Sequence, residues 1–450
     1  MKIFTAMLMI CAAFCPAAAG AEMAGISPAQ AQALYLNASG GDRASGYVGV
    51  DNPASGFISQ DPAGVDWVLQ PRLDGTSRWT RYTDMPSAVG TFAATAAFRD
   101  IRGALPATLT RNTTRTYIEA GTGLLKTASV NAPAVEAQGI SIEKAVTNYL
   151  LKSNALSVSP WVAGTGLNAL VANQDAARDG TMTATKLVPA TTTGSLYQVI
   201  NGVSVQNRTF NFAVDLRADT PHTAKLRLEN KDANPVEYAE ASVSVTAALT
   251  RFNVPLACAQ ASTSKLLVRI YPDSGAGTEH VYASSATVSE TRVPFSYIPT
   301  DTVAATKSLD ALSVANNGVL ADASGTLLMT YSPLSASTEV VTNTIIAGPG
   351  SGILYRDGAN IKSDDGTSIL VLPATWTAGQ PLRLALTWDA SGRRLYNLTA
   401  GTSQSGAYDG SFGIGQSINF YSGASAPNGS LKDVKFWTRK LSDTEVSSWQ

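Results

Sequence analysis

Apolar and polar residues alternate along most of the chain. From Ile101 onward, short runs of Val, Ile, Leu, Phe, Tyr and Thr recur roughly every 8 to 14 residues between Gly, Asn, Asp and Pro. In runs such as SLYQVI, AKLRLEN and KLLVRIY, apolar residues occupy every second position, as in a strand that buries one face. The pattern predicts a mostly β fold built from antiparallel sandwiches.

Turn and helix signals divide the second half of the chain. A hairpin turn needs a positive φ, which Asn-Gly and Asp-Gly pairs supply most readily. Ser442 and Glu445 have the spacing of a capping box and predict one short helix at the end of the chain. The predicted hairpin turns are Asp357-Gly358, Asn428-Gly429 and Asp389 to Gly392.

The stretch SIEKAVTNYLLKSNALSVSPW, residues 141 to 161, first suggests an amphipathic helix. Ile142, Val146 and Tyr149 follow helical spacing. A helix leaves Trp161 unexplained, because Pro160 breaks helices and favours an extended residue before it. We therefore expect something other than a simple helix here.

Composition and charge exclude one class of partner. The 450 residues suffice for two or three domains, and only 15% of them are charged. The formal net charge is -1, and no long run of Lys or Arg occurs. Nucleic-acid binding rests mainly on positive charge, so we predict no nucleic-acid partner.

The N-terminal segment, residues 1–21, has the pattern of a secretory signal. Its apolar stretch from Ile3 to about Phe14 is followed by Ala19-Gly20-Ala21, which predicts cleavage after Ala21. An apolar anchor is the alternative. Two of the three cysteines lie in this segment, and we expect the third, Cys258, to be a small buried residue.

Residues 111 to 198 contain an ordered series of motifs. The series is Thr116-Tyr117, Asn131-Ala132-Pro133, Ile142-Glu143, residues 147–151, Ser153, Trp161, Arg178-Asp179-Gly180 and residues 183–187. In this order and spacing, the segment closely resembles one in the head spike and tail fibre proteins of tailed phages and prophages. A second stretch, residues 281 to 312 (VYASSATVSETRVPFSYIPTDTVAATKSLDAL), is similar to the exit strand and linker of the same proteins.

The last 140 or so residues resemble a concanavalin A-like, laminin-G-like jelly roll. The terminal series GSLKDVKFWTRKLSDTEVSSW carries this resemblance. The usual Tyr-x-Asn-Gly hairpin of that family is here Leu395-Tyr396-Asn397-Leu398, without the glycine.

The two resemblances imply two jelly-roll sandwiches in tandem after a smaller N-terminal region. The first would be a carbohydrate-binding-like sandwich, with Trp161 at its start. The implied divisions are the signal-like or anchor segment 1–21, an attachment region 22–105, the phage segment with its sandwich 106–298, and the laminin-G-like sandwich 299–450.

Neither histidine carries a catalytic pattern. A hydrolase would need two converging carboxylates or a Ser, His and Asp arrangement, and His222 and His280 stand in strand or loop contexts. Asp357 and the pair Asp364-Asp365 could converge on a catalytic site or on a calcium ion, but the pair is also a plain turn, which we favour. We predict no catalytic residue, no metal and no cofactor.

Aromatic side chains are the candidates for sugar binding, because a ring face packs against the apolar face of a sugar. Trp388 and Trp437 lie in strand-like patterns and are predicted to be core residues. The predicted ligand-binding residues are Tyr355, Tyr396, Tyr408, Phe420 and Tyr421.

The resemblance implies a virion fibre or spike protein that attaches to host surface glycan and is not an enzyme. Its partners would be other virion proteins of the capsid, portal or tail, host polysaccharide, and copies of itself, most simply in a trimer. A secreted bacterial glycan-binding adhesin is the first alternative. A polysaccharide-degrading enzyme and a purely architectural capsid protein are the others.

Overall fold

The computed structural model describes residues 107–448, apart from residues 261–264, 317, 349, 351 and 424, and the backbone of six strands between residues 58 and 105. The predicted segment 1–21 and most of the predicted attachment region 22–105 lie outside the described residues. Antiparallel pairing links all the strands, which confirms the predicted mostly β fold class.

The described elements follow one another in four groups. The six strands with described backbone are Ile58–Gln60 (β1), Asp66–Pro71 (β2), Ser77–Arg81 (β3), Ala88–Thr91 (β4), Ala97–Asp100 (β5) and Gly103–Leu105 (β6). The next are Ala107–Thr110 (β7), Arg115–Ile118 (β8), Leu125–Ala128 (β9), Val135–Glu136 (β10), Gly139–Ile142 (β11) and Val146–Asn148 (β12). The third group is Val162–Ala163 (β13), Leu167–Asp175 (β14), Ala184–Pro189 (β15), Leu196–Asn201 (β16), Arg208–Arg217 (β17), His222–Asn230 (β18), Glu237–Val245 (β19), Thr250–Cys258 (β20), Lys265–Tyr271 (β21) and Val281–Ser289 (β22). The last is Ala305–Lys307 (β23), Ala311–Ala315 (β24), Gly325–Pro333 (β25), Thr342–Ile346 (β26), Leu354–Asp357 (β27), Asn360–Asp364 (β28), Ile369–Pro373 (β29), Leu382–Asp389 (β30), Gly392–Asn397 (β31), Thr402–Gly406 (β32), Ser417–Asn419 (β33), Gly429–Trp437 (β34) and the helix Asp443–Ser448 (α1).

The third group forms a sandwich of two five-stranded sheets, ordered β13-β16-β21-β18-β19 and β14-β15-β22-β17-β20. Alternate residues of these strands point inward, and Phe210, Phe212 and Leu226 are fully buried between the sheets. Trp161 belongs to the same core, and its indole N–H donates to the Lys152 carbonyl at 3.2 Å. Strands and turns occupy residues 139–161, so the stretch is not a simple helix.

The C-terminal sandwich takes strands from both ends of the described chain. Its large sheet runs β32-β31-β30-β25-β34-β4-β5-β6, and it shares one apolar core with the four-stranded sheet β26-β27-β28-β29. β7 pairs with β24, β11 with β34, and β12 with β23. The first sandwich is therefore inserted between strands of the second, and the predicted ranges 106–298 and 299–450 share paired strands.

A glycine makes the junction of β11 with β34 tight. Gly139 has a φ of +114°, and a Cβ built there would lie 2.1 Å from the Leu431 carbonyl oxygen. Only glycine fits such an approach. The segment before the insertion is thereby held against the last strand of the chain.

Most of the predicted local features are present. The hairpins at Asp357-Gly358 and at Asp389 to Gly392 are confirmed by the β27–β28 and β30–β31 pairings. The capping box is also confirmed, because the Ser442 N–H donates to Glu445 Oε2 at 2.7 Å and the Glu445 N–H donates to Ser442 Oγ at 3.3 Å.

The hairpin predicted at Asn428-Gly429 is wrong. Asn428 does have a positive φ of 48°, but Gly429 opens β34, which pairs with β25, β11 and β4. The strand that precedes this turn, β33, pairs with β24 instead. A positive φ is needed here to enter a strand, and a dipeptide signal does not reveal which strand becomes the partner.

A buried cluster of charges lies where the chain leaves the C-terminal sandwich and returns to it. Asp310 accepts hydrogen bonds from Arg111 at 3.0 Å and Arg115 at 2.7 Å, and Lys307 lies 3.1 Å away. Glu143 pairs with Arg115 at 2.9 Å and accepts from the Ser296 hydroxyl at 2.8 Å. The charged side chains are at most 2% exposed. We call these five charged residues the junction cluster.

The junction cluster joins segments that are far apart in sequence. Burial opposes ionisation of Asp310, but the positive charges of Arg115 and Lys307 outweigh it and hold the pKa of Asp310 below its ordinary value. A carboxyl whose folded pKa is depressed stabilises the fold above its unfolded pKa, and that contribution is lost as the pH falls through the folded pKa. An ionised carboxylate thus holds together the segments that flank the inserted sandwich.

We expect Asp310→Ala to lower the free energy of unfolding by roughly 3 to 5 kcal/mol, because it leaves buried cations without their counter-ion. Asp301→Ala is the matched control, since Asp301 is 75% exposed and pairs with Lys152 at the surface; it should cost less than about 1 kcal/mol. Urea denaturation of both variants measures the difference. Equal costs would show that the junction cluster does not stabilise the fold.

Candidate functional site

One outer face of the inserted sandwich combines aromatic and charged side chains. In the sheet β13-β16-β21-β18-β19, residues at every second position pack into the core, so the residues between them point outward. We call the outward set the tyrosine–arginine face. It consists of Tyr197, Tyr238, Tyr271, Lys225, Arg227, Arg269, Glu229 and Glu240.

Strand register aligns these residues in rows across the sheet. In the central row Val162 is paired with Tyr197, which is paired with Arg269. The row continues from Arg269 to Arg227 and from Arg227 to Glu240. The pairs Glu229–Tyr238 and Tyr271–Lys225 lie in the rows on either side. A chain-like ligand laid along the central row would contact every strand of the sheet.

Each tyrosine of the face contacts a cation. The Arg227 guanidinium carbon lies 3.8 Å from the Tyr238 ring centroid, and that of Arg269 lies 4.9 Å from the Tyr197 centroid. Lys225 Nζ lies 4.5 Å from the Tyr271 centroid. Such cation–π contacts hold the rings and limit the rotamers that binding would have to order.

The rings remain open to solvent. Tyr238 is 53% exposed, and Val162, at the end of the central row, is 43% exposed. Tyr197 and Tyr271 are partly exposed. An exposed tyrosine offers both an apolar ring face and a hydroxyl, which is the combination that recognition of sugars requires.

The carboxylates of the face serve as counter-ions to two of its cations. Glu229 lies 2.8 Å and Glu240 lies 3.4 Å from Arg227, and Glu240 also lies 3.4 Å from Lys225. Among the described residues, the partners of the Arg269 guanidinium are the Ser195 hydroxyl, at 3.5 Å, and the Tyr197 ring. No ion pair of Arg269 occurs within the described residues.

The predicted ligand-binding aromatics of the C-terminal sandwich do not come together on a surface. Tyr355, Tyr396 and Phe420 are buried, at 3%, 6% and 0% exposure, so their rings offer no face to a ligand in this conformation. Tyr396 instead donates to Asp443 at 2.7 Å. Tyr408 is half-buried and donates to the Asp322 carbonyl at 2.6 Å. For Tyr408 and for Tyr421, which is also half-buried, the binding role stays a prediction.

Trp388 and Trp437 are buried, at 0% and 1% exposure, as predicted for core residues. Cys258 is buried too, and burial, followed by the charge of Glu237, raises the pKa of its thiol to about 11. A thiol with a raised pKa is a poor nucleophile at neutral pH.

The predicted aspartate turn is present. The Asp364 carboxylate accepts the Gly366 N–H at 2.8 Å, and Asp365 accepts the Ser368 N–H at 2.7 Å and lies 3.2 Å from Arg393. Asp357 ends β27 and is the register partner of Asn360, which begins β28, so it lies roughly 13 Å from Asp364 at about 3.3 Å per residue. Its carboxylate pairs with Lys362. The three carboxylates therefore do not converge on one ion. No group of three or more His, Cys, Asp and Glu suited to a metal occurs in residues 107–448 as far as they are described.

The histidines lie on the inserted sandwich and bind neighbouring groups. His222 bonds to the carbonyls of Thr220 and Pro272, at 2.8 and 2.9 Å. His280 lies 3.0 Å from Asp219, which also accepts the Tyr282 hydroxyl at 2.9 Å. These two hydrogen bonds lower the pKa of Asp219.

A separate cleft of about 430 Å³ opens where the two sandwiches meet. Its walls include Lys144, Arg292, Phe295 and Asn343. The Asn343 side chain is already hydrogen-bonded, because Asn428 Nδ2 donates to Asn343 Oδ1 at 2.7 Å. The tyrosine–arginine face has more exposed aromatic rings than this cleft and is the stronger candidate.

Comparisons with known proteins give no family assignment. No model of a protein family matches this chain, and no curated protein matches it. Three of the solved structures to which the chain is similar carry different functions in their names. They are the xylan-binding domain CBM22-1 from Paenibacillus barcinonensis (12% identity, 32% of this chain and 90% of that chain, TM-score 0.25), the enzymatically active domain of tailspike protein 4 from bacteriophage CBA120 (12%, 31% and 21%, 0.24), and a cyclase from Fischerella sp. TAU (9%, 34% and 100%, 0.25). Likenesses of this extent do not assign a ligand or an activity to this chain.

We expect the two groups of aromatics to respond differently to truncation. Phe420→Ala should lower the free energy of unfolding by roughly 3 to 5 kcal/mol, because it opens a cavity in the C-terminal core. Tyr238→Ala should cost less than about 1 kcal/mol, since the ring is largely exposed. Guanidinium unfolding curves of the two variants test this. A large loss for Tyr238→Ala would mean that the ring is structural rather than available to a ligand.

Proposed function

We propose that this chain is a glycan-binding protein that uses the tyrosine–arginine face, and that it serves as a virion fibre or spike that attaches to host surface polysaccharide. The observation that carries the proposal is the set of three solvent-accessible tyrosines on one open sheet face, each against a cation. The sequence resemblance to phage head spike and tail fibre proteins supports the virion assignment.

The proposed chemistry is binding without cleavage. Retaining and inverting hydrolysis both need one carboxylic acid that donates a proton and one carboxylate that attacks or activates water. Glu229 and Glu240, the carboxylates of the face, lie 2.8 and 3.4 Å from the same Arg227 guanidinium and are its counter-ions. We infer that both orient Arg227 and that the exposed Glu240 also accepts hydrogen bonds from sugar hydroxyls.

Weak single sites suit a multivalent particle. A shallow face contacts few sugar units, and presenting several copies raises the effective affinity without new contacts. The protein would therefore act as a homo-oligomer, which we propose to be a trimer, joined to capsid, portal or tail proteins.

We expect Tyr197→Ala and Tyr238→Ala each to weaken binding to capsular polysaccharide or lipopolysaccharide of the host strain by about tenfold or more, since each removes a stacking surface. Titration calorimetry measures the loss. Tyr421→Ala is the control, because it removes a half-buried tyrosine of the C-terminal sandwich and should leave binding unchanged.

The reverse pattern, with loss only in Tyr421→Ala, would place the site on the C-terminal sandwich. Polymer length is followed in the same samples by size-exclusion chromatography. Shortening of the polymer by the wild-type protein would contradict the proposal of binding without cleavage.

We expect mass spectrometry of purified phage particles to find this chain at a stoichiometric level. A chain found only in the medium or periplasm, and starting near Glu22, would support the secreted adhesin instead. Particles that lack the chain but adsorb normally would remove the virion assignment and leave the glycan-binding proposal to be judged by the calorimetry.

A further inference from the structure

We propose that the tyrosine–arginine face is selective for acidic polysaccharides, with Arg269 as the residue that receives a carboxylate of a uronate unit. This inference rests on the proposed function and names the class of glycan. It follows from the distribution of charge along the central row of the face.

Two arginines stand next to each other in that row. Arg227 and Arg269 are register partners on the neighbouring strands β18 and β21, and both point outward. Directly opposite side chains in an antiparallel pair are close neighbours, and like charges in such positions destabilise the sheet. An anion bound between or beside them would remove this repulsion.

The carboxylates of the protein neutralise only one of the two arginines. Glu229 and Glu240 both lie within ion-pair distance of Arg227, and Glu240 is shared with Lys225. Arg269 has the Ser195 hydroxyl at 3.5 Å as its hydrogen-bond partner and no carboxylate within ion-pair distance among the described residues. The free positive charge of the face is therefore at Arg269.

The surroundings of Arg269 suit a carboxylate that belongs to a sugar. Its guanidinium packs on the Tyr197 ring, which restricts its rotamers, and a guanidinium binds a carboxylate through two parallel hydrogen bonds. Tyr197 and the exposed Val162 continue the same row toward the sheet edge and offer apolar contact to the next sugar unit. A polymer that alternates apolar sugar faces with carboxylates matches this order of groups.

The experiment compares polymers that differ only in their carboxylates. The probes are alginate, polygalacturonate and hyaluronate, each in its native form and after carboxyl reduction, which turns every uronate into a neutral sugar and keeps the linkages. Dextran sulfate is the probe for anionic groups of other chemistry. The full chain is used, as wild type and as Arg269→Gln.

We expect the wild type to bind at least one native polymer about tenfold or more tightly than its reduced form, and less tightly as salt is added. Arg269→Gln should remove that difference. Arg208→Gln is the matched control, because Arg208 is 45% exposed, pairs with Glu290 and lies on the opposite sheet; it should keep the difference.

Other results overturn the inference in distinguishable ways. Equal binding of native and reduced forms overturns the acidic selectivity and leaves the glycan-binding proposal standing. Binding of dextran sulfate but of no carboxylated polymer overturns the carboxylate assignment. Absence of binding to every probe, with binding to the host-strain polysaccharide intact, overturns the acidic selectivity alone. Absence of binding to the host-strain polysaccharide as well contradicts the proposed function. A change of molar mass in light scattering for Arg269→Gln would mean that the face is an interface between copies of the chain, which also overturns the inference.

Discussion

Burial of ionised side chains at the junction cluster is the constraint that holds the two ends of the insertion next to each other. The chain crosses from the C-terminal sandwich into the inserted one after Glu143, and it returns before Lys307 and Asp310. Both crossings meet at Asp310, whose carboxylate forms ion pairs with Arg111, Arg115 and Lys307. Removing charges from water is costly unless each is paired and hydrogen-bonded, so the cluster forms only when both crossings are in place. The two ends of the insertion are thereby held next to each other.

This connectivity leaves the tyrosine–arginine face, on the sheet β13-β16-β21-β18-β19, available for ligand binding. The other sheet of the inserted sandwich, β14-β15-β22-β17-β20, contacts the flanking segments through β22. The Tyr149 backbone N–H donates to the Val288 carbonyl, and the Asn148 side chain donates to the carbonyls of Ala286 and Ile298. The sheet that bears Tyr197, Tyr238 and Tyr271 keeps its exposed rings. A rigid sheet holds side chains in register more precisely than a loop would, and it costs less to order on binding.

The sequence predicts the fold class because strand alternation is a local property. The runs SLYQVI, AKLRLEN and KLLVRIY became β16, β18 and β21, and their alternate residues are buried as expected. The hairpins at Asp357 and Asp389 can also be predicted from the sequence, since each joins strands that are neighbours in sequence. The pairing of β11 with β34 cannot be predicted in this way, because it joins residues almost 300 positions apart and no local pattern encodes it.

The candidate site cannot be assembled from the sequence for the same reason. The alternation in those three runs already places Tyr197, Arg227 and Arg269 on outward positions, but only the strand order brings them onto one face. The predicted loop aromatics include Tyr355 and Phe420, which are core residues, because a buried and an exposed aromatic look alike in sequence. Tyr238 carries the clearest local signal of the face, since it lies at an outward position of a strand whose other outward neighbours are polar.

The most direct test of the account is tyrosine footprinting by radical oxidation, with and without saturating host polysaccharide, read out peptide by peptide. The account predicts that oxidation of Tyr197, Tyr238 and Tyr271 falls on binding while oxidation of Tyr421 stays the same. Protection of Tyr408 or Tyr421, with the three tyrosines of the inserted sandwich unchanged, would contradict it and move the binding surface to the C-terminal sandwich.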